Sequence, residues 1–99
     1  MQIIFTDAAF RDLAELRAYL EPLSPSGLRN VMQRLENVIG IIPANPRIGR
    51  MTPREGVREL VEPKYGFLIP YAVIDRKVFI LRVYRSKRPP MDYASLGVP

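Results

Sequence analysis

Two prolines three residues apart, Pro22 and Pro25, constrain the fold of this chain more than any other feature. The residue before a proline resists the helical conformation, so a helix that arrives at Glu21 ends there. Ser24 and Pro25 then form a helix-start signal, because a serine side chain caps the first turn and a proline in that turn has no N–H to leave unpaired. A link this short makes the two helices fold back on each other as an antiparallel hairpin.

Apolar residues recur at three- and four-residue spacing on both sides of this link, which is the pattern of helices with one buried face. Thr6 or Asp7 can cap the first helix, because a short side-chain oxygen accepts the unpaired N–H groups of the first turn. The predicted buried positions of the first helix are Phe10, Leu13, Leu16 (or Arg17) and Leu20. The second helix is predicted to continue to Pro43, with buried Leu28, Val31, Met32, Leu35, Val38, Ile39 and Ile42.

Short strands are predicted before and after the helical hairpin. Residues 2–5 are apolar and β-branched, and three later strands cover about residues 57–62, 66–74 and 78–84. Residues 75–77 form a tight connection, so the last two strands make a hairpin. The strand over 66–74 is apolar on both faces and is expected near the centre of the sheet, where Pro70 requires a bulge or a locally unpaired N–H.

This order of elements predicts an α+β fold (β-α-α-β-β-β). An N-terminal strand precedes an antiparallel α-helical hairpin, which packs on one face of a small antiparallel sheet. The other face of the sheet is expected to be partly open. With 99 residues, the chain has the length of one domain, covering residues 1–99.

The chain contains neither cysteine nor histidine. This composition excludes disulfides, zinc sites with cysteine ligands, and catalytic triads or dyads that use histidine. The carboxylates are scattered without metal-ligand or glycosidase-like spacing, so we expect no metal site and no cofactor. No apolar run reaches about 20 residues and the N-terminus lacks the basic start of a signal peptide, which predicts a soluble, cytoplasmic protein with no membrane partner.

The formal net charge is +5, and the positive charge lies in the second half of the chain. Residues 1–46 carry four arginines and five acids, whereas residues 47–99 carry eleven lysines and arginines and five acids. A basic half indicates an acidic partner, either nucleic acid or an acidic protein surface; the alternative is a solvated basic face that only confers solubility.

The last strand carries the most informative pattern. Period-two alternation places one set of side chains toward the helices and the other toward the open face. The set predicted to face the helices is Phe79, Leu81 and Val83, and the set predicted to face the open side is Val78, Ile80, Arg82 and Tyr84.

A basic run, Arg85-Ser86-Lys87-Arg88, follows this strand, and Arg58 is expected on the same open face. A basic surface flanked by an aromatic residue can hold phosphates and stack bases, or it can receive an acidic peptide. The residue types alone do not favour either nucleic-acid binding or protein binding. The candidate target-binding residues are Arg82, Tyr84, Arg85, Lys87 and Arg88.

Five stretches that cover nearly the whole chain, in order, carry a family resemblance. They are Ala9…Asp12-Leu13…Tyr19-Leu20, Pro43…Pro46…Gly49-Arg50, Val57-Arg58-Glu59-Leu60, Tyr65-Gly66-Phe67-Leu68-Ile69-Pro70-Tyr71 and Val78-Phe79-Ile80-Leu81-Arg82-Val83-Tyr84. In this ordered set the chain resembles the RelE/ParE superfamily of bacterial type II toxins. The resemblance implies the β-α-α-β-β-β fold and a neutralising antitoxin whose C-terminal segment wraps the toxin.

The superfamily contains two activities, and the resemblance leaves both open. RelE-like members cut messenger RNA on the ribosome, whereas ParE-like members inhibit DNA gyrase and are not known as nucleases. RelE-like nucleases carry an arginine in the central strand, and alignment on Gly66 and Tyr71 places Leu68 at that position, where leucine cannot contact phosphate. A basic run followed by a tyrosine is similar to the catalytic end of RelE-like nucleases, and in that alternative the catalytic residues are Arg82, Lys87, Arg88 and Tyr93.

Other features are similar to the ParE branch. They are the long second helix, the Arg58-Glu59-Leu60 motif and the stretch from Ile80 to Tyr84, although Arg85 stands where ParE-like chains often have a histidine. We therefore predict a ParE-like toxin that inhibits DNA gyrase by protein contact and is not itself an enzyme. A third class is a degenerate member that only binds its antitoxin and serves as a repressor subunit.

The expected antitoxin has an acidic, amphipathic C-terminal segment, because exposed apolar area beside positive charge marks a binding surface. A helix of this segment is predicted to lie along the helical hairpin, and an extended piece near the sheet edge. The predicted antitoxin-binding residues are Arg17 and Arg34, which are expected to face away from the sheet, together with Arg58 and Arg82.

Overall fold

The structure is a computed structural model that describes residues 1–87 and 90–99. Its elements are, in chain order, β1 (Gln2–Phe5), α1 (Asp7–Leu20), α2 (Pro25–Gly40), β2 (Arg50–Met51), β3 (Val57–Glu62), β4 (Phe67–Ile74), β5 (Lys77–Ile80) and β6 (Tyr84–Arg85), with short 3₁₀ helices at Ile42–Ala44 and Tyr93–Ser95. The predicted α+β fold class is confirmed, and Arg88 lies outside the described residues. In the part of the chain that the structure describes, no helix has the length and apolar character needed to cross a membrane.

The strands form one sheet in the order β1-β5-β4-β3-β2, and β6 pairs with β4 beyond the end of β5. β4 is central, as predicted from its two apolar faces. β1 pairs with β5 in parallel and the other pairs are antiparallel, so the predicted antiparallel sheet includes one parallel pair. The helices cover one face of the sheet, hereafter the helix face, and the opposite face is the far face.

The short link forms the predicted helical hairpin. Ser24 caps α2, since its side-chain oxygen accepts a hydrogen bond from the N–H of Gly27 at 3.0 Å. Thr6 caps α1 in the same way, and its hydroxyl also donates to the carbonyl of Ile80 at 3.0 Å. The cap of α1 therefore also ties the start of that helix to the end of β5.

Phe10 does not join the helix-face core, contrary to the prediction. It is 60% exposed, and its ring contacts the ring of Phe5 with the centroids 5.8 Å apart. Ala9 is fully buried instead, so the buried stripe of α1 runs through Ala9, Leu13, Leu16 and Leu20. This stripe keeps the helical period, but a small alanine gives a weaker apolar signal in the sequence than a phenylalanine.

A β-bulge separates β5 from β6. Ile80 pairs with Tyr71, whereas Tyr84 pairs with Leu68, so four steps along one strand match three steps along the other. The extra residue reverses the side to which the following side chains point.

Pro70 lies opposite this bulge in the central strand. The N–H of Leu81 donates to the carbonyl of Pro70 at 2.9 Å. The nitrogen and the carbonyl of one strand residue point toward the same neighbouring strand, so the nitrogen of Pro70 faces the interrupted part of the ladder. A bulge, one of the two features predicted to accommodate Pro70, is therefore present, and no ladder hydrogen bond needs the missing N–H.

The predicted facing of the last strand is wrong before the bulge and correct after it. The side chains on the helix face are Val78, Ile80 and Val83, and those on the far face are Phe79, Leu81 and Tyr84. Alternation separates two sets of side chains, but both sets are apolar here, so the pattern cannot tell which set meets the helices. The bulge then reverses the alternation and places Val83 and Tyr84 on the faces predicted for them.

The C-terminal segment covers part of the far face, which was predicted to be partly open. Leu96 is buried and packs with Val57, Ala72 and Leu81, and the neighbouring side chains of the segment pack around them. Arg54 holds the segment through Nη1, which donates to the carbonyl of Leu96 at 2.6 Å. The chain thus keeps this part of the apolar face out of water, while Val61 on the same face is 50% exposed.

Tyr71 anchors the loop that leads into β2. Its hydroxyl accepts a hydrogen bond from the N–H of Gly49 at 2.9 Å and donates to the carbonyl of Pro46 at 2.8 Å. Burial raises the pKa of Tyr71, so the hydroxyl keeps its proton and both hydrogen bonds.

Gly49→Ala is expected to lower the free energy of unfolding by about 1–3 kcal/mol, measured by urea denaturation. A Cβ at this position would lie 2.6 Å from Cε1 of Tyr71 and 3.1 Å from the backbone carbon of Glu59. The control is Gly40→Ala at the end of α2, where nothing lies within 4 Å of the added Cβ and alanine favours the helix. Equal stability of the two variants would contradict the close packing of the loop on Tyr71.

Candidate functional site

Arg82, a predicted target-binding and antitoxin-binding residue, is held in an ion pair on the helix face. Its Nε and Nη2 donate to the two carboxylate oxygens of Asp12 on α1 at 2.6 and 2.8 Å, and the N–H of Val83 donates to the same carboxylate at 2.9 Å. These hydrogen bonds to Asp12 raise the pKa of Arg82. The predicted position on the open face is therefore wrong, because Asp12 draws the guanidinium toward α1.

The other described members of the target-binding set lie at the end of β6. Arg85 and Lys87 are exposed, and the guanidinium of Arg85 lies 5.0 Å from the centroid of the Phe67 ring. Together with Tyr84 they line one side of a groove of about 400 Å³, hereafter the α1–β6 groove. The residues that α1 contributes to it are Asp12, Glu15, Leu16 and Tyr19. Aromatic rings beside an arginine are the side-chain types that protein interfaces favour.

A fully buried carboxylate, Glu59, lies on the far face at the centre of a polar cluster. Arg50 donates to it from Nη2 and, at 3.1 Å, from Nε. The hydroxyls of Tyr93 and Tyr84 donate to the other carboxylate oxygen at 2.9 and 3.3 Å. This Glu59 cluster joins β2, β3, β6 and the C-terminal segment.

The donors of the Glu59 cluster hold their protons tightly. Desolvation, with a further contribution from the negative charge of Glu59, raises the pKa of both Tyr84 and Tyr93. The hydrogen bond to Glu59 raises the pKa of Arg50. The carboxylate that could act as a base is already bound by all three donors, so the cluster is built to stabilise the fold. Among the described residues, no three acidic side chains gather as a metal site requires.

In the sequence, Glu59 is one of several scattered carboxylates, and this cluster was not predicted. One signal was present, because Glu59 follows Val57 by two residues and so shares the face of a strand with an apolar residue. A carboxylate on an apolar face requires partners. The partners of Glu59 come from distant segments of the chain. The first of them, Arg50, lies opposite Glu59 in the pairing of β2 with β3.

Arg17 and Arg34, two predicted antitoxin-binding residues, have different surroundings. Arg17 is exposed on α1 and lies 3.5 Å from Glu21. Nε of Arg34 donates to the buried Glu62 at 3.1 Å, so α2 turns Arg34 toward β3 rather than away from the sheet as predicted. Burial opposes ionisation of Glu62, but hydrogen bonds from Arg34 and from the backbone N–H groups of the following turn outweigh it and lower the pKa of Glu62.

Arg58, the remaining antitoxin-binding candidate, is half-buried on the helix face, where it pairs across the ladder with Tyr71. Its predicted position on the open face is therefore wrong, since even-numbered residues of β3 point to the helix side. Its Nη1 donates to the carbonyl of Gly49 at 2.9 Å, a neutral acceptor. A backbone carbonyl therefore fixes the orientation of the Arg58 guanidinium.

Two residues of the nuclease alternative, Arg82 and Tyr93, lie on opposite faces of the sheet. Arg82 lies on the helix face with Asp12, whereas Tyr93 donates to Glu59 on the far face. Lys87 is exposed beyond β6, and Arg88 lies outside the described residues.

A sequence model of the ParE toxin of type II toxin–antitoxin systems (parDE) matches residues 3–90. This chain belongs to the ParE toxin family. The protein Y4kP of Sinorhizobium fredii strain NGR234, which carries a provisional toxin name, is 34% identical over 85 residues, which are 86% of this chain and 88% of that protein. The resemblance predicted from the five sequence stretches is confirmed.

Solved structures show that this ParE-family toxin has the RelE/ParE fold. The chromosomal ParDE system of P. aeruginosa matches with a TM-score of 0.76 and 26% identity, covering 88% of this chain and 97% of that chain. RelBE2 of Mycobacterium tuberculosis matches with a TM-score of 0.58 and 28% identity over 85% and 95% of the two chains. The E. coli RelBE complex shares the fold at 18% identity, with a TM-score of 0.60 over 88% of this chain and 98% of that chain.

Raising the pH above the ordinary tyrosine pKa of 10.0 is expected to weaken the fold through Tyr84. The folded state binds the Tyr84 proton more tightly than the unfolded chain, so this contribution is fully present below that pH and is lost as the pH rises. When unfolding by urea is measured from about pH 8 to about pH 11, the free energy of unfolding of the wild type should fall toward that of Tyr84→Phe. If the difference in free energy of unfolding between the wild type and Tyr84→Phe stays constant over this pH range, the folded environment of Tyr84 does not favour its protonated form.

Proposed function

We propose that this ParE-family toxin inhibits growth by binding DNA gyrase in the cytoplasm, and that a cognate antitoxin neutralises it. The observation that carries the proposal is the separation of Arg82 and Tyr93, which lie on opposite faces of the sheet. A nuclease requires its charged and acid–base groups to converge on one phosphate. An inhibitor that acts by protein contact requires only an exposed complementary surface.

The far face is poorly suited to a phosphate backbone. Glu59 places a carboxylate at its centre, and Arg50, which could attract phosphate, is already bound to that carboxylate. Leu68 lies on the same face, beside Tyr84, at the position that the resemblance assigns to the nuclease arginine. An uncharged side chain there contributes nothing to a developing negative charge.

The α1–β6 groove supplies a surface for a protein target. Arg85 and Lys87 place positive charge on one side, and Tyr19, which is 65% exposed, supplies an aromatic ring on the other. A protein partner can fill such a groove with mixed apolar and acidic side chains. We assign this groove to contact with gyrase.

An antitoxin partner is supported by the similar structures, because those of P. aeruginosa and E. coli are toxin–antitoxin systems. The basic second half of this chain favours an acidic partner, whose association rate would fall with increasing salt. Because an antitoxin binds only the folded toxin, it would also raise the melting temperature.

RelE-like cleavage of messenger RNA is the second candidate function. RelBE2 of M. tuberculosis is 28% identical to this chain, and Tyr93 follows the basic run as in RelE-like nucleases. A member that only binds its antitoxin would show neither activity.

Purified toxin is expected to inhibit supercoiling by DNA gyrase, or to trap a cleaved gyrase–DNA complex, and to leave mRNA on translating ribosomes intact. Both assays use the same preparation, and addition of the antitoxin is expected to restore supercoiling. Codon-specific mRNA cuts that disappear with Arg88→Ala or with a folded Tyr93→Phe would establish the nuclease instead. Inactivity in both assays would leave antitoxin binding as the function.

The double variant Arg85→Glu with Lys87→Glu is expected to abolish growth inhibition while keeping the fold. Exposed charges and an exposed cation–π contact each contribute about 1 kcal/mol or less, so the melting temperature should change little. Arg11→Glu with Lys77→Glu reverses two exposed charges elsewhere and should remain toxic. A large loss of melting temperature in the first variant would show that these side chains are structural.

A further inference from the structure

The outer side of β1 is the end of the sheet opposite β2. Within residues 1–87 and 90–99, β1 pairs only with β5, so its other side presents backbone groups that no described strand uses. An edge of this kind can accept a further strand. β1 contains neither a charged residue nor a proline, two features that keep edge strands from pairing. This outer side of Gln2–Phe5 is hereafter the β1 edge.

The backbone groups of two residues point to the β1 edge. The N–H of Thr6 donates to the carbonyl of Ile80 on β5 at 3.1 Å. Because successive residues of a strand turn their backbone groups to alternate sides, Ile4 also faces β5, whereas Ile3 and Phe5 face outward. These two residues therefore offer a strand partner two donors and two acceptors.

Exposed apolar side chains border the β1 edge. Phe10 of α1 is 60% exposed, and its ring lies against that of Phe5 with the centroids 5.8 Å apart. Met1, just before β1, is 49% exposed. Adjacent exposed apolar side chains are typical of an interaction surface. A partner that pairs with β1 can therefore bury apolar area together with the backbone groups.

The charge around the β1 edge favours a second copy of this chain as the partner. Residues 1–46 carry four arginines and five acids, so this half of the chain lacks the positive charge that attracts acidic segments or nucleic acid. β2, at the opposite edge of the sheet, carries Arg50. The uncharged β1 can meet its own copy without the repulsion that like charges produce between paired strands.

The two outward residues also restrict the register of such a pair. In an antiparallel pair, residues that exchange hydrogen bonds lie directly opposite each other and point their side chains to the same side. Pairing Ile3 with Ile3 of the second copy satisfies this requirement and places Phe5 opposite Met1 of that copy. Ile3 and Phe5 pack with the helix-face core, so the helices of both copies lie on the same side of one continuous sheet.

We propose that two copies of this toxin associate by antiparallel pairing of β1 with β1. Ile3 lies on the two-fold axis, and Met1 packs against Phe5 and Phe10 of the other copy. Such an interface uses the same surface on both copies, so the pair is closed and no third copy can add at this edge. The dimer carries two α1–β6 grooves, and the proposal does not depend on the target that they bind.

The first test is sedimentation equilibrium of the full toxin at concentrations up to about 100 µM. The wild type is expected to approach twice the monomer mass of 11.3 kDa. Phe10→Glu is expected to raise the dissociation constant of the dimer about ten-fold or more at an unchanged melting temperature. The matched control is Leu23→Glu between the helices, which changes a side chain that is 68% exposed and should leave the constant within about two-fold.

A second variant acts at the strand itself. Gln2 is exposed and lies opposite Ile4 of the second copy in this register, so Gln2→Lys is expected to weaken the dimer about ten-fold. Gln33→Lys adds the same charge to an exposed position of α2 and should leave the dimer intact. Added salt should not dissociate the dimer, because it screens the repulsion between two chains of charge +5.

Hydrogen exchange locates the interface residue by residue. The amides of Ile3 and Phe5 are expected to be protected in the wild-type dimer and to exchange rapidly in Phe10→Glu under conditions where it is monomeric. The amide of Ile4, which faces β5, should be protected in both. This alternation distinguishes pairing at the β1 edge from a dimer that forms elsewhere.

Three results would contradict the proposal. The wild type could remain monomeric at about 100 µM, or it could form a dimer in which the Ile3 and Phe5 amides exchange as they do in the monomer. Phe10→Glu and Gln2→Lys could also weaken binding of the antitoxin and leave self-association unchanged, which would assign the β1 edge to the antitoxin. The supercoiling and mRNA assays test the proposed function separately, so either conclusion can fail while the other stands.

Discussion

The buried carboxylate of Glu59 imposes the constraint on which the far side of the molecule depends. Moving a carboxylate out of water costs roughly several kcal/mol of free energy unless hydrogen-bond donors surround it. Arg50, Tyr84 and Tyr93 supply those donors from three separate segments. Satisfying one carboxylate therefore fastens β2 to the sheet edge, β6 to the far face and the C-terminal segment over the apolar surface.

Asp12 has the corresponding role on the helix face. Its carboxylate binds the guanidinium of Arg82 and the N–H of Val83, and so connects α1 to the bulge between β5 and β6. This contact keeps Arg82 away from the far face, where Tyr93 lies. A residue that the nuclease alternative assigns to phosphate chemistry is thus bound to a carboxylate that helps to hold the fold together.

The structure leaves two grooves at different places on the sheet. The α1–β6 groove lies between α1 and the end of β6, and a second groove lies beside β2. Both place arginine side chains next to an exposed apolar or aromatic side chain, Met51 beside β2 and Tyr19 on α1.

The sequence by itself determined the helical hairpin, because proline and capping effects act within a few residues, and it predicted Val57–Glu62 as observed and the central strand to within one residue. The ordered stretches also predicted the toxin family. Only the tertiary structure decided which face each side chain of the last strand occupies, since both sets were apolar and one bulge residue reversed the pattern. It also decided the partners of Arg82 and Glu59, because Asp12 and Tyr93 are 70 and 34 residues away in the chain. Local signals specify elements, whereas pairing between distant charged groups depends on how those elements pack.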